Sequence, residues 1–207
     1  MRIRPISQDD IPKVVETMVS SFMKDELYSY FIAENDKREK VLRLFMKFRL
    51  KFGIKNGIVK VTDDCNGVAI WISPNAKMKP TDLIFLGGIT ALLTCNSNER
   101  KRILSFNNYS EQIVETCVQQ PYWYLSPICV SEEFQGKGYG KSLILDGLKD
   151  INLSEAPCFL ETQSDKNKSI YEKFKFECVS ATNVPEAYIM NYGMIYNFTH
   201  DEYNNDN

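Results

Sequence analysis

The sequence predicts an α/β fold in which a mixed, mostly antiparallel and twisted sheet is flanked by helices. Residues 122–130 are rich in aromatic and branched side chains and read as a strand that runs into a glycine-rich loop and a helix. An Asn66-Gly67 turn signal between two apolar stretches predicts a β-hairpin. Two further strand-like stretches, 176–181 and 188–196, follow near the end of the chain.

The remaining elements follow from apolar periodicity and capping residues. Apolar side chains at helical spacing over residues 11–22, with a proline in the first turn, predict the first helix. Asn35 or Asp36 can cap a second helix, and Ser97 or Asn98 can cap another. The predicted strands are 2–6, 57–62, 68–73, 122–130, 158–162, 176–181 and 188–196. The later predicted helices are 35–52, a buried helix at 83–93, 98–118, 141–148 and 167–174.

The composition is typical of one globular domain, which would span residues 1–207. The net charge of −2 gives no electrostatic case for a nucleic-acid partner. The longest apolar run, 83–93, is well short of the ~20 residues that a spanning helix needs, so we expect no membrane partner. The six cysteines form no C-x-x-C pair, and the first residues lack an apolar signal core, which indicates a cytoplasmic protein.

The chain has one histidine, His200, which lies in a polar C-terminal tail. Most hydrolases of the Ser-His and Cys-His types, and most zinc sites, need a histidine within the folded domain. The sequence therefore argues against these classes, and we expect no metal site.

The most informative stretch is the glycine loop, residues 135–140, which reads Gln-Gly-Lys-Gly-Tyr-Gly and opens the helix at Lys141. The first N–H groups of a helix have no partner within the helix, and the helix dipole there favours an anion. Glycine lets the backbone approach a phosphate group without a side chain in the way. The loop therefore predicts a site for a phosphate-bearing ligand.

Two common nucleotide-binding loops do not fit these residues. The P-loop pattern G-x-x-x-x-G-K-[ST] would end at residues 140–142, but its first glycine falls on Gln135. The dinucleotide pattern G-x-G-x-x-G fails because its third glycine would be Lys141 or Leu143. The pattern that remains is Gln-x-x-Gly-x-Gly, beginning at Gln135, after a strand that ends in valine.

This pattern resembles the pyrophosphate-binding loop of the GNAT superfamily, the acetyl-CoA-dependent N-acetyltransferases. The resemblance implies splayed central strands, in which backbone groups of Ile128, Cys129 and Val130 hold the pantetheine arm of the cofactor. The Ser126-Pro127 step suits such a break in the sheet, because proline cannot donate to a ladder. By resemblance, the pyrophosphate lies on the loop residues Gln135, Gly136, Lys137, Gly138, Tyr139, Gly140 and Lys141.

A second stretch, residues 159–176, resembles the later part of the same coenzyme A site and is closest to puromycin N-acetyltransferase-like members. Asn167 precedes Tyr171 by one helical turn, so both lie on one helix face. The resemblance implies that Asn167 bonds the amide arm of the cofactor and that Tyr171 is the general acid for the departing thiolate. Lys175 stands where the pattern has glycine, and it would be strained if that position needs a positive φ.

Glu161, near the end of the predicted strand 158–162, is the candidate general base, acting directly or through water. The same carboxylate could instead bind a cationic substrate or cap a neighbouring backbone group. Cys129 lies beside the expected thioester, but no second histidine is available to activate it, so we interpret it as a small core residue.

The candidate substrate-binding residues are Phe22, Asp25, Trp71 and Tyr124. The first two flank a polar break after the first helix, which could open onto a substrate. Trp71 has two interpretations, core packing and lining of a substrate cleft. Trp123 and Tyr124 alternate along their strand, so only one of the two can face the cleft.

These features predict an acetyl-CoA-dependent N-acetyltransferase that acts on a primary amine by direct attack on the thioester. The weak net charge and the absence of a peptide-binding feature favour a small-molecule amine, and we expect a monomer or a homodimer. Three alternatives stay open at this point. They are a non-catalytic acyl-CoA-binding or sensing module of the same fold, a protein N-acetyltransferase, and a P-loop nucleotide-binding protein.

Overall fold

The computed structural model describes residues 1–119, 121–152, 154 and 156–198, so His200 lies outside the described residues. Within these ranges the strands are β1 (Ile3–Pro5), β2 (Gly57–Thr62), β3 (Gly67–Ile72), β4 (Trp123–Val130), β5 (Cys158–Thr162), β6 (Glu177–Asn183) and β7 (Met190–Tyr196). They form one sheet in the order β1-β2-β3-β4-β5-β7-β6. The β4–β5 pair is parallel and the other neighbouring pairs are antiparallel. The predicted fold class is therefore confirmed.

The helices lie on both faces of this sheet. They are α1 (Ile11–Phe22), α2 (Glu26–Phe31), α3 (Asn35–Asn56), α4 (Pro80–Phe85), α5 (Gly88–Thr94), α6 (Ser97–Cys117), α7 (Tyr139–Asn152) and α8 (Asp165–Glu172). Short 3₁₀ turns precede α1, at Gln8–Asp10, and the glycine loop, at Glu132–Phe134. Among the described helices, none is both long and apolar enough to cross a membrane.

The residues of β3 show how the sheet separates two cores. Val68 and Ile70 pack with α1 and α3, whereas Ala69 and Trp71 pack with α7. All four side chains are fully buried. Because successive side chains of a strand point to opposite faces, a continuous apolar run here indicates a sheet covered on both sides.

The sheet opens between β4 and β5. In the part of the chain that the structure describes, these strands pair only at Trp123 with Cys158 and at Tyr124 with Phe159. From residue 125 to residue 130, β4 has no partner on this side. The opening agrees with the splayed central strands that the resemblance implies.

The opposite side of β4 carries an irregularity at the same level. Ala69 pairs with Ile128 and Trp71 pairs with Leu125, so Ile70 lies opposite two residues of β4, Ser126 and Pro127. Such a bulge bends its strand and increases the local twist. The bulge therefore lies at the level where the pairing of β4 with β5 ends.

The predicted buried helix at residues 83–93 is wrong. The chain forms two short helices there, α4 and α5, with Gly87 between them in the left-handed region at φ 96°. A glycine in this conformation ends a helix, which apolar periodicity alone did not indicate. Phe85 is 80% exposed and Leu93 is 71% exposed, so the apolar residues of this stretch lie largely on the surface.

The packing of α7 on the sheet generates a stability prediction at Gly147. A Cβ atom at this position would lie 2.2 Å from Cε2 of Trp71, which is fully buried. We expect Gly147→Ala to lower the free energy of unfolding by about 1–3 kcal/mol through overpacking, as measured by chemical denaturation.

Gly140→Ala is the matched control, because a Cβ at Gly140 of the same helix meets nothing within 4 Å. This control should leave the free energy of unfolding unchanged or raise it slightly, since alanine favours helix. Equal losses in the two variants would contradict close packing of α7 on Trp71.

Candidate active site

The divergence of β4 and β5 opens a cleft with a volume of about 1060 Å³. One half is walled by the glycine loop, the first turn of α7, and α8. The other half is walled by α2, by one face of α3 and by α6. The open edge of β4 and the end of β5 lie between the two halves, which we call the loop half and the far half.

The glycine loop is held at the end of β4 by Gln135, whose Nε2 donates to the carbonyl oxygen of Val130 at 3.1 Å. Gly136 and Gly138 have φ values of 75° and 86°, which other L-residues rarely adopt. The helix α7 then begins at Tyr139, and its first turn lines the cleft. N–H groups of a first turn have no partner within the helix, so the loop half offers donors for an anion.

The predicted coenzyme A residues come together around this cleft, with one exception. Those that line it are Ile128, Cys129, Val130, Gln135, Gly136, Gly138, Tyr139, Gly140, Lys141, Asn167 and Tyr171. The exception is Lys137, which is exposed and whose Nζ lies 5.1 Å from the centre of the Phe134 ring. The Lys137 side chain is thus turned towards the outer surface of the loop.

Cys129 is a buried wall residue of β4. Burial raises the pKa of its thiol to about 12, so the thiol is protonated near neutral pH. A buried, protonated thiol is a poor nucleophile. This environment agrees with the interpretation of Cys129 as a core residue.

Asn167 and Tyr171 both reach the cleft from α8, one turn apart. The Ser164 side chain caps this helix by accepting from the Asn167 N–H at 3.3 Å. Tyr171 is buried, its ring packs against Phe176 at a centroid distance of 5.8 Å, and burial raises the pKa of its hydroxyl. Tyr171 therefore keeps its proton at physiological pH and can act as a donor.

Lys175 lies just after α8 and adopts a left-handed conformation with φ 65°. The Phe176 N–H reaches back to the Tyr171 carbonyl at 3.2 Å, which is the bonding pattern of a helix end that glycine favours. The turn next to Tyr171 thus has the shape that is expected when glycine occupies this position. Lys175 adopts that shape in a strained conformation.

Glu161 is fixed at the edge of the cleft by donors from three elements. Its Oε2 accepts from the Tyr124 hydroxyl at 3.0 Å and from the hydroxyl of Ser110. Its Oε1 accepts from Nδ2 of Asn191, a fully buried residue, at 2.7 Å. Neither Ser110 nor Asn191 was a sequence candidate, because they come from α6 and β7 and no local pattern relates them to Glu161.

Of the predicted substrate residues, Phe22 and Asp25 line the cleft at the break between α1 and α2. The Asp25 carboxylate caps α2 by accepting from the Tyr28 N–H at 3.0 Å. Burial raises the pKa of Asp25. The break is therefore a structured helix start in the cleft wall, and α2 itself was missed by the sequence reading.

Tyr124 faces the cleft, whereas Trp123 points to the other side of β4 and donates to the Ser154 hydroxyl at 2.7 Å. Trp71 does not line the cleft, so its interpretation as a substrate residue is corrected to core packing. The alternation along β3 places its ring on the face that α7 covers, where it is fully buried.

One set of cleft residues was missed altogether, on the helix α3. Residues 38, 42, 45 and 49 share one helix face by their spacing, and all four line the cleft. They are Arg38, Leu42, Phe45 and Arg49. The spacing is legible in the sequence, but it gives no reason to place an arginine-bearing face towards a cleft rather than towards solvent.

The comparisons with known proteins agree with this geometry. Residues 106–184 match the model of the family described as FR47-like protein, which includes the glycine loop and α8. An uncharacterized N-acetyltransferase of Schizosaccharomyces pombe is 25% identical over 185 residues, which cover 85% of this chain and 74% of that protein.

Solved structures share the fold over nearly the whole chain. A Corynebacterium glutamicum structure described as histone acetyltransferase HPA2 and related acetyltransferase has a TM-score of 0.68 and 19% identity, covering 95% of this chain and 96% of its own. Arylalkylamine N-acetyltransferase 2 from Aedes aegypti has a TM-score of 0.65 and 14% identity, covering 96% and 99%. A GNAT family acetyltransferase from Brucella melitensis, in complex with acetyl-CoA, has a TM-score of 0.50 and 14% identity, covering 96% and 88%.

The family model and the Schizosaccharomyces pombe relative support the resemblance to acetyltransferases of the GNAT superfamily, and the solved structures show the shared fold. They do not confirm that the chain is closest to puromycin N-acetyltransferase-like members, and they do not identify the acceptor.

The conformation of Lys175 generates a second stability prediction. We expect Lys175→Gly to raise the free energy of unfolding by about 0.5–1 kcal/mol, because glycine adopts this left-handed turn without strain. Lys173→Gly is the matched control, since Lys173 has φ −67° and should lose stability on substitution. Stabilisation by both variants, or by neither, in chemical denaturation would contradict strain at Lys175.

Proposed function

We propose that this protein is an N-acetyltransferase that transfers the acetyl group of acetyl-CoA to a primary amine of a small molecule. The main support for the proposal is that three features lie in one cleft. These are the open edge of β4, the glycine loop at the start of α7, and the hydroxyl of Tyr171. They supply the backbone donors, the anion site and the proton donor that acetyl transfer needs.

The residues of the loop half fit coenzyme A. A Cβ atom at Gly136, Gly138 or Gly140 would meet nothing within 4 Å, so the space beside the helix start is free for a pyrophosphate. The backbone of residues 125–130 faces the gap without a strand partner in the described part of the chain. An amide-bearing arm can pair with such groups, and the side chain of Asn167 adds one further amide.

When bound, acetyl-CoA would supply an acetyl group activated as a thioester. The chain must then receive one proton from the attacking amine and provide one for the departing sulfur. In this proposal Glu161, which is held by three donors, accepts the amine proton directly or through water. Tyr171 holds the second proton, because burial raises the pKa of its hydroxyl.

The far half of the cleft supports a small-molecule acceptor. Its wall residues include the aromatic and apolar side chains Tyr28, Phe31, Phe45, Ile103, Phe106 and Tyr124. A wall of this composition favours a compact apolar body beside the reacting amine. Arylalkylamine N-acetyltransferases of Aedes aegypti share the fold, which makes arylalkyl amines sensible first probes.

We also infer a cytoplasmic protein from its cysteines. The six cysteines are all free thiols, and Cys129 and Cys158 are buried in the two cores. Buried free thiols in a protein of this size are typical of a reducing compartment.

The cofactor site is tested by calorimetric titration of the purified protein with acetyl-CoA. We expect saturable binding that Gly140→Val weakens by about tenfold or more, because the new side chain fills the space beside the helix start. Lys149→Val, on an exposed position far along the same helix, should leave the affinity unchanged. ATP with Mg²⁺ is the ligand control and should not bind.

Two results would contradict this assignment. A folded wild-type protein that does not bind acetyl-CoA would overturn the proposal as a whole. Binding of ATP with Mg²⁺ in its place would favour the P-loop interpretation.

The role of Tyr171 is tested by Tyr171→Phe, assayed by release of free coenzyme A with a panel of primary amines. We expect kcat to fall by about 10²-fold or more, because the proton donor to the departing sulfur is lost, while the Kd for acetyl-CoA is retained. Tyr109→Phe is the matched control, because that hydroxyl bonds to Thr182 away from the cleft. A wild-type protein that binds acetyl-CoA but acetylates none of these amines would contradict a small-molecule acceptor and favour the non-catalytic module or the protein N-acetyltransferase.

A further inference from the structure

We propose that the acceptor of this enzyme carries a carboxylate in addition to its amine, and that Arg49 binds this carboxylate in the far half of the cleft. The inference rests on the proposed acetyl transfer and narrows its substrate class to apolar amino acids or close relatives of them. The guanidinium of Arg49 carries a positive charge in the cleft wall, and no carboxylate among the described residues pairs with it.

Arg49 lies on the face of α3 that lines the cleft and is partly buried. Its Nη1 donates to the hydroxyl of Ser126 on β4 at 3.0 Å. A guanidinium has five N–H donors, and a single bond to a neutral hydroxyl leaves most of them available. In the described part of the chain, no aspartate or glutamate forms an ion pair with Arg49.

Three other cations of the same helix are paired with carboxylates. The pairs are Lys37 with Glu99, Arg43 with Glu16 and Glu39, and Lys55 with Asp82. Arg38, the second arginine of the cleft face, donates to the Ile32 carbonyl and to Asn35, which ties it to the start of α3. Arg38 also has no carboxylate partner among the described residues, but it is buried, whereas Arg49 is partly exposed. Arg49 is thus the more accessible guanidinium of this face, and a guanidinium matches a carboxylate by two parallel hydrogen bonds.

The phosphate groups of a cofactor bound at the glycine loop would lie too far from Arg49 to pair with it. Its contact residue Ser126 lies four residues before Val130, where the glycine loop is attached. Four residues of strand span about 13 Å, so the guanidinium lies well away from the loop half. Its charge therefore acts on whatever occupies the far half.

A negative pole, the Glu161 carboxylate, lies at the end of β5, where the two halves of the cleft meet. An acceptor with both an amine and a carboxylate requires such a pole for its amine. Tyr124 lies near both charges, because its hydroxyl donates to Glu161 and it precedes by two residues Ser126, to which Arg49 donates. Burial raises the pKa of Tyr124, the Glu161 carboxylate raises it further, and Arg49 opposes both. A ligand can therefore place its amine towards Glu161 and its carboxylate towards Arg49.

Apolar side chains surround these two poles. Phe31, Phe45 and Phe106 line the same half of the cleft and would contact an apolar side chain of the acceptor. Asp25 and Glu26, at the start of α2, are further carboxylates of the cleft wall, and the Asp25 oxygen already caps α2. The combination of the Arg49 guanidinium, the Glu161 carboxylate and an aromatic wall fits an apolar amino acid better than a simple alkyl or aryl amine.

The test compares amino acids with the amines that lack only the carboxylate. The pairs are L-phenylalanine with phenethylamine and L-leucine with isopentylamine, each assayed for acetyl transfer with the wild-type protein and Arg49→Met. We expect the wild type to favour the amino acid of each pair. Arg49→Met should lower kcat/KM for the amino acid by about 10–100-fold and affect the paired amine far less, because only the amino acid loses a charge-assisted hydrogen bond.

Arg43→Met is the matched control, because it removes the same charge from the same helix at a position paired with Glu16 and Glu39 outside the cleft. It should leave the discrimination between the paired substrates unchanged. Equal losses for the amino acid and its paired amine in Arg49→Met would overturn the inference, as would a wild type that acetylates only the amines without a carboxylate.

A binding measurement separates the failure of this inference from the failure of the proposed function. Calorimetry with N-acetyl-L-phenylalanine and N-acetylphenethylamine, in the presence of coenzyme A, needs no turnover. We expect the carboxylate-bearing compound to bind more tightly to the wild type, and this preference to disappear in Arg49→Met. Transfer to amines without such a preference would leave the proposed function standing and remove the role of Arg49.

Discussion

The incomplete pairing of β4 with β5 is the constraint on which the rest of the site depends. Only two residue pairs hold these strands together before β4 diverges, in the described part of the chain. A bulge opposite Ile70 and a proline without an N–H both act against a regular ladder at this level. Buried backbone groups need partners, so an open edge inside a cleft is a place for a ligand with amide groups of its own.

The gap also brings together two kinds of binding surface that no single element could provide. The loop half offers backbone donors at a helix start, and glycines keep it free of side chains. The far half offers aromatic walls and the charge of Arg49, and Glu161 lies where the two halves meet. The Glu161 carboxylate is held by α6, β4 and β7 together, so the position of the candidate base depends on the whole sheet rather than on its own strand.

The parts of the site that could be predicted from sequence are those that one local segment specifies. The glycine loop needs only its own backbone conformation, and Asn167 and Tyr171 need only one helical turn. The shape of the turn at Lys175 likewise follows from the end of α8. Sequence reasoning could therefore place the loop half before the fold was known.

The remainder depends on contacts between distant segments. Ser110 and Asn191 meet Glu161 from other elements, and no spacing in the sequence relates them. The cleft face of α3 has a readable spacing, yet only the packing of α3 on the sheet places Arg49 beside Ser126. The sequence around Trp71 was compatible with a place in the core and with a place in the cleft. The structure puts Trp71 in the core, because α7 covers that face of β3.

Amide hydrogen exchange, with and without coenzyme A, tests most directly the claim that the open edge and the glycine loop form one binding site. The account predicts slower exchange on binding in two segments, residues 125–130 of β4 and residues 136–141 of the loop, with β1 and β2 unchanged. Binding of coenzyme A that protects neither segment, or that protects only residues outside the cleft, would contradict the account.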